Sequence, residues 1–113
     1  MKEIKAIIRP FKLDDVVSEL HKIEELPGLT ISEIKGFGRT KAKNAADAFQ
    51  DGLHNYIKRL KIEIVVNDDI VNVVVDTIQK NAHTGNSGDG KIFVIDVENT
   101  IRIRTNENGK EAI

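Results

Sequence analysis

KIEIVVNDDIVNVVVDTIQKNAHTGNSGDGKIFVIDV occupies residues 61–97 of the chain. Its first six residues alternate apolar with polar or charged side chains, a pattern typical of a strand with one buried face. Asn67 or Asp68 can cap a helix, and apolar residues recur at helical spacing from about 69 to 81. The β-branched run at 91–97 predicts a second strand. This stretch therefore predicts a β-α-β unit.

The residues before this unit repeat the same order. Residues 3–8 form a short apolar-rich run that ends at Arg9-Pro10, which predicts a strand. Residues 11–25 carry apolar side chains at helical spacing, and 29–38 predict another strand. Two β-α-β halves joined by a long segment predict a ferredoxin-like split βαβ fold, an α+β class with an antiparallel sheet and two helices on one face.

Composition limits the possible functions. The chain has 113 residues, which suits a single domain spanning residues 1–113, and small size makes assembly into an oligomer a source of stability. Its net charge of −1 provides no overall attraction to nucleic acid. The absence of cysteine excludes disulfides and thiolate chemistry and fits the cytoplasm. No apolar run has the length of a membrane span, and the N-terminus has no signal-peptide pattern.

The stretch TGNSGDGK, residues 84–91, has more glycines than a turn needs. It is neither a Walker A sequence nor a dinucleotide-binding fingerprint, and it precedes a strand instead of a helix. Glycines can turn successive N–H groups toward an anion, Lys91 would add a positive charge, and Thr84 would add a hydroxyl donor. The stretch predicts either a phosphate-binding loop or a simple turn into the strand.

Two further basic spots favour phosphate. Within TIRIR, residues 100–104, Arg102 and Arg104 would share one face if the segment is extended. The sequence GFGR, residues 36–39, places another arginine beside two glycines. Together these spots indicate a polyphosphate site, and the alternative is a solvated, charged edge strand that prevents aggregation.

The segment of about 39–60 has weak patterning, with no proline and one glycine. It predicts either a long mobile loop or a surface helix with Ala45, Phe49, Tyr56 and Leu60 on one face. Nowhere in the chain do histidines or paired carboxylates follow the spacing of a metal site or a catalytic triad.

The chain resembles the PII signal-transduction proteins over nearly its whole length. The resemblance is carried by AIIRPFKLDDV (6–16), EIKGFGR (33–39), KIEIVV (61–66), TGNSGDGKIFVIDV (84–97), and IRIRT followed by the ending EAI. The 84–97 pattern is specific to this family.

The resemblance implies a homotrimer that binds ATP or ADP in clefts between subunits, with Mg²⁺ possible beside ATP. It implies a T-loop of about 39–60 that docks into a target protein, and a C-terminal segment of about 98–113. The nucleotide contacts that it implies are Ile7, Thr30, Gly36, Phe37, Gly38, Arg39, Glu63, Val65, Thr84, Gly88, Asp89, Gly90, Lys91, Arg102 and Arg104.

The T-loop departs from the family pattern. Thr40 stands where members typically have a glutamine that helps to hold magnesium with 2-oxoglutarate, and Arg59 stands where they have a lysine for that ligand's far carboxylate. Gly52 replaces the tyrosine that many members carry for uridylylation, and Tyr56 does not align with it. We expect weak or absent 2-oxoglutarate binding, no modification at residue 52, and a response mainly to ATP against ADP or AMP.

Two readings of the target remain open. The first is an enzyme or transporter linked to nitrogen metabolism. The second is a membrane transporter, an efflux system or bicarbonate-linked carbon metabolism, with adenylate sensing alone. For the function of the chain itself, the alternative is an acylphosphatase-like enzyme. Arg9 follows the first strand, where such an enzyme has a phosphate-binding arginine, but its glycine-rich loop and asparagine are missing there. The expected protein is a regulator and not an enzyme.

Overall fold

The computed structural model describes residues 1–37 and 56–113. A four-stranded antiparallel sheet in the order β2-β3-β1-β4 is packed against two helices, which is the ferredoxin-like split βαβ arrangement. The elements are β1 (Lys2–Ile8), α1 (Leu13–His21), β2 (Thr30–Gly36), β3 (Ile57–Val66), α2 (Val71–Ala82) and β4 (Lys91–Asp96). The predicted fold class is therefore confirmed.

The core lies between the sheet and the helices. On β1 every second side chain, at Ile4, Ala6 and Ile8, is buried, as the alternating pattern requires. The matching face of β3 and the inner faces of both helices complete one cluster, formed by Ile62, Ile64, Val66, Val16, Leu20, Ile70, Val74, Ile78 and Ala82. Burying such side chains stabilises the fold by roughly 1.5–3 kcal/mol each relative to exposure.

The pairing register fixes what meets at the end of the sheet. In β1, Ile7 lies opposite Lys61 of β3 and opposite Lys91 of β4. Because the pairing is antiparallel, the residue after β1 lies next to the residues that lead into β4. The register therefore brings Arg9 to the glycine-rich segment, which the chain order alone separates by about 80 residues.

Several predicted boundaries differ from the structure. The first helix starts after a 3-10 turn at Pro10–Lys12 and ends at His21, before the predicted end. Proline at the first position of that turn explains the tighter geometry. Strand β3 starts at Ile57, so residues 57–60 extend the sheet and are neither helix nor loop. The rest of the predicted T-loop, up to residue 55, lies outside the described residues.

The expected side-chain cap of the second helix is also wrong. Asn67 precedes a 3-10 turn at Asp68–Ile70 and makes no capping hydrogen bond. Asp68 instead accepts a hydrogen bond from the N-terminal ammonium of Met1 at 2.9 Å. This contact ties the start of β1 to the end of β3. Neither helix in the two described ranges has the length and apolar character needed to cross a membrane.

The extended segment predicted at 100–104 is not observed. Ile101 forms an isolated bridge with Asn108, and the backbone N–H of Arg102 donates to Glu107 O at 3.0 Å. The chain between them turns, with Asn106 at a φ of 61°. The polar, turn-forming sequence TNENG overrides the short alternating pattern of TIRIR.

Candidate functional site

The glycine-rich segment 84–90 forms a loop at the end of the sheet, and the backbone explains its glycines. Gly85, Gly88 and Gly90 have φ values of 91°, 94° and 102°, which side-chain-bearing residues rarely adopt. A Cβ on Gly90 would also lie only 1.7 Å from the carbonyl oxygen of Ile7. Gly90 is therefore required both by its dihedral angles and by its close approach to β1.

Asp89 holds the first half of the loop. Its carboxylate accepts hydrogen bonds from the backbone N–H of Thr84 at 2.7 Å and of Gly85 at 2.9 Å, and from the Thr84 hydroxyl. The Thr84 hydroxyl in turn accepts from the backbone N–H of Asn86 at 3.2 Å. Since the Thr84 hydroxyl and the Asp89 carboxylate bond each other, both predicted ligand contacts serve the loop's own structure.

These contacts determine the charge state of Asp89. Hydrogen bonds from the hydroxyl and backbone N–H of Thr84, and then from Gly85 and Arg9, hold the pKa of the Asp89 carboxyl well below its usual range. The carboxylate is thus ionised throughout the physiological range and acts as a fixed acceptor for the loop.

The second half of the loop leaves its donors open. The backbone N–H groups of Ser87, Gly88 and Gly90 make no hydrogen bond to any residue in the described ranges, whereas the N–H of Asp89 faces into the turn at residues 87–88. Lys91, the next residue, is exposed, and its side chain has no hydrogen bond or ion pair within the same ranges. Successive open N–H groups followed by a cation are suited to an anion with several oxygens.

Two arginines flank this half of the loop. A Cβ on Gly88 would lie 3.1 Å from Nη2 of Arg59 and 3.2 Å from Nη2 of Arg9. Arg59 donates through Nη1 to Lys58 O at 2.9 Å and forms no ion pair with a described acidic residue. The structure therefore brings Arg59, a predicted effector residue, to the predicted phosphate loop.

Arg9 was not predicted as part of this site. Its Nε donates to Asp89 Oδ1 at 3.0 Å and its Nη2 donates to Ser87 O at 2.6 Å. The sequence contained a usable signal, because β1 and β4 are neighbours in a split βαβ sheet. The residue that follows β1 must then lie beside the residues that precede β4.

Other predicted contacts lie along the sheet, away from the loop. Thr30, Glu63 and Val65 line an open cleft of about 440 Å³ that also includes Thr100 and Ile113 of the C-terminal segment. Loop residues line a different cavity of about 310 Å³, beside Ile7, Asp89, Gly90 and Lys91. Within one chain, the predicted nucleotide contacts thus form two separate groups.

Glu63 is engaged inside its own chain. Its carboxylate lies 3.4 Å from Nζ of Lys61, and a hydrogen bond shared with Glu3 raises the pKa of Glu3 and lowers that of Glu63. Glu63 remains at the wall of the cleft, where an ionised carboxylate can accept hydrogen bonds from a ligand.

The two C-terminal arginines differ from each other. Arg102 Nη1 donates to Glu107 Oε1 at 3.0 Å, and Nη2 donates to Glu111 O at 3.1 Å and Ile113 O at 3.4 Å. Arg104 lies exposed in the turn and makes no hydrogen bond to a described residue. The prediction that both share one face of an extended segment is therefore wrong.

The remaining predicted residues lie where β2 ends. Gly36 pairs with Ile57, and the ring of Phe37 meets that of Tyr56 edge-on, with centroids 6.4 Å apart. Gly38, Arg39 and Thr40 lie outside the described residues, as does Gly52. Among the residues described, no cluster of histidine or acidic side chains has the geometry of a metal site.

Comparison with known proteins places the chain among regulators. Residues 1–107 match the family described as nitrogen regulatory protein P-II. Nitrogen regulatory protein P-II of Klebsiella oxytoca and nitrogen regulatory protein P-II 1 of Escherichia coli K12 are each 50% identical over 113 residues, covering 100% of both chains. The structure of Arabidopsis thaliana PII bound to citrate has a TM-score of 0.80 and 39% identity, covering 99% of this chain and 91% of the other.

Proposed function

The chain belongs to the P-II family of nitrogen regulatory, signal-transduction proteins, whose members are regulators and not enzymes, and from this premise we propose that it binds ATP and ADP. In this proposal, the chain contacts a target protein through residues 39–60, and the contact depends on which nucleotide is bound. Mg²⁺ would accompany ATP. Since its ligands are free adenine nucleotides, we place the protein in the cytoplasm.

The observation that carries this proposal is the half-open loop. The N–H groups of Ser87, Gly88 and Gly90 have no partner among the described residues, and the ammonium group of Lys91, which follows them, is unpaired within the same residues. A di- or triphosphate offers both the negative charge and the several acceptor oxygens that these donors need. A single carboxylate would leave several of them unsatisfied.

The division of the predicted contacts into two groups supports a site between subunits. One subunit would contribute the loop with Lys91, and its neighbour the C-terminal segment with Arg102 and Arg104. The exposed apolar side chains of β4 and of the turn after it, at Phe93, Val94, Ile95, Ile101 and Ile103, favour association of this edge. We propose a homotrimer on this basis together with the family membership.

The effector specificity follows from Arg59. Its guanidinium lies beside Gly88, and its planar fork requires bidentate geometry, so it cannot simply replace the compact ammonium of a lysine at the far carboxylate of 2-oxoglutarate. The Arabidopsis relative is bound to citrate, which is a carboxylate anion, so carboxylates are reasonable probes for this chain. With Thr40 replacing glutamine, we propose that 2-oxoglutarate binds weakly or not at all.

The relatives are named nitrogen regulatory proteins, and we propose that the target of this chain is an enzyme or transporter linked to nitrogen metabolism. A target outside nitrogen metabolism, such as a membrane transporter, an efflux system or bicarbonate-linked metabolism, is the second candidate. The observation that favours it is the departure of Thr40, Gly52 and Arg59 from the family pattern.

Calorimetry of the purified chain tests the proposal directly. ATP, ADP and AMP are titrated separately, each with and without Mg²⁺ and 2-oxoglutarate. We expect ATP and ADP to bind and Lys91→Ala to weaken both by roughly 10- to 150-fold, the effect of losing a charge-assisted contact. Absence of ATP and ADP binding would overturn the nucleotide proposal, and a strong 2-oxoglutarate signal that requires Mg-ATP would restore the ordinary effector.

A further inference from the structure

Arg9 connects the end of β1 to the glycine-rich loop through two bonds. Its Nε binds the Asp89 carboxylate at 3.0 Å, and its Nη2 binds the carbonyl oxygen of Ser87 at 2.6 Å. The side chains of Arg9 and Asp89 are only 21% and 22% exposed, so the pair is largely shielded from solvent. The ion pair neutralises the guanidinium, which reduces its attraction for an external anion.

The bond to Ser87 controls a neighbouring donor. The peptide between Ser87 and Gly88 is trans, so its C=O and N–H point in opposite directions. With the C=O held by Arg9, the N–H of Gly88 must point away from Arg9. It has no hydrogen-bond partner among the described residues.

Without this restraint the peptide can turn over. Gly88 has a φ of 94° and, lacking a Cβ, can occupy positive and negative φ almost equally well. A flipped peptide would present the Ser87 carbonyl, a negative dipole, in place of the N–H. An anion at this position would then be repelled instead of bound.

We infer that Arg9 is a positioning residue for phosphate binding: it fixes the Ser87–Gly88 peptide with the N–H outward and holds the Asp89 carboxylate in the loop. It raises nucleotide affinity through the loop and without contact to the phosphates. The inference rests on the proposed nucleotide function. It adds a role for a residue that lies outside the predicted set of nucleotide contacts.

The test compares the unsubstituted protein with Arg9→Gln and Arg9→Lys. Calorimetry measures the binding of ATP, and NMR titration measures the binding of adenosine. We expect Arg9→Gln to weaken ATP binding about tenfold, as loss of hydrogen bonds from a charged group does, and to leave adenosine binding unchanged. Arg9→Lys keeps the positive charge but lacks the planar guanidinium with its several donors, so it should lose less ATP affinity than Arg9→Gln. Lys12→Gln removes a nearby cation that makes no hydrogen bond to the loop, and should bind ATP normally.

A double-mutant cycle with Asp89→Asn tests whether Arg9 acts through its contact with the loop. If Arg9 acts through the loop, the combined variant loses less ATP affinity than the product of the two single losses. Multiplicative losses, or an equal loss of ATP and adenosine binding in Arg9→Gln, would overturn the inference. If the unchanged protein binds no ATP, the proposed function itself fails, whereas normal ATP binding by Arg9→Gln defeats only the role of Arg9.

Discussion

At the scale of single residues, Asp89 is the centre of the loop. Its carboxylate accepts bonds from Thr84, Gly85 and Arg9, all of which require the ionised form or are strengthened by it. The folded pKa is lower than the ordinary value of 3.8. A lowered folded pKa means that the carboxylate contributes stability above the unfolded pKa and loses it as pH falls toward the folded pKa.

We therefore expect the loop to be least ordered in acid. Amide exchange of Thr84 and Gly85, corrected for the intrinsic effect of pH, should be slow and constant at neutral pH and should accelerate below about pH 3.8, the ordinary value for Asp89. Asp89→Asn should show faster exchange at neutral pH and no such acid step. A step of the same size in the variant would mean that another group controls the loop.

Gly90 gives a second prediction at this scale. Gly90→Ala would place a Cβ 1.7 Å from Ile7 O at a φ of 102°, so the backbone of β1 or the loop must move. We expect a loss on the order of 3 kcal/mol in the free energy of unfolding, measured by urea denaturation at fixed protein concentration.

Gly109→Ala is the matched control for that change. Gly109 has a φ of 79°, but a Cβ there would meet nothing within 4 Å. Only the left-handed conformation is penalised, by about 1–2 kcal/mol. Equal losses in the two variants would show that the contact with Ile7 does not matter.

At the scale of elements, the C-terminal turn binds the side chain of Arg102, which is predicted to contact phosphate. Glu107 and the carbonyls of Glu111 and Ile113 hold Arg102, so a phosphate must compete with them for the guanidinium. The ion pair is partly exposed and is worth about 0.2–1 kcal/mol. The turn therefore makes a small difference to the availability of Arg102.

Glu107→Gln should strengthen ATP binding slightly, by about 1.4- to 5-fold, because it removes the competing carboxylate. Calorimetry measures the effect. Glu111→Gln is the control, since it removes a charge from the same segment whose side chain does not bond Arg102. Weaker ATP binding in Glu107→Gln would mean that the carboxylate holds Arg102 in its binding position.

At the scale of the whole molecule, the edge at β4 has no partner strand among residues 1–37 and 56–113. Ile103 is 98% exposed, and neighbouring apolar side chains of β4 are also exposed. We expect light scattering at micromolar concentration to give three times the subunit mass of 12.6 kDa. Ile103→Asp should shift the mass toward the monomer if this turn contributes to the interface, and a monomeric mass for the unchanged chain would contradict the proposed trimer.

Ile4, Ala6 and Ile8 on β1 illustrate why much of the fold could be predicted. Their two-residue period, and the helical period after Asp69, are local consequences of burying one face of each element. Boundaries were less predictable, as β3 begins at Ile57 inside a stretch with no clear pattern. There, pairing with β2 outweighs the weak local preference.

The candidate site could also be predicted only in part from the sequence. The glycines of 84–90 marked the loop, because positive φ is a local property of the residue. Residues Arg102 and Arg104 were misplaced, because a short alternating pattern cannot compete with the turn that follows it. Arg9 was missed, because its partners Ser87 and Asp89 lie about 80 residues away in the chain.

The sequence by itself determined the element order, the buried faces and the position of the glycine-rich loop, since each depends on dihedral preferences and periodic burial within a few residues. Only the tertiary structure decided that Arg9 holds the Ser87 carbonyl, that Asp89 accepts from the N–H groups of Thr84 and Gly85, and that Arg102 is bound by the C-terminal turn. The contact of Arg9 depends on strand register, which sets distances between groups far apart in the chain. The other two contacts depend on how the loop and the turn fold back on themselves, which weak local preferences do not determine.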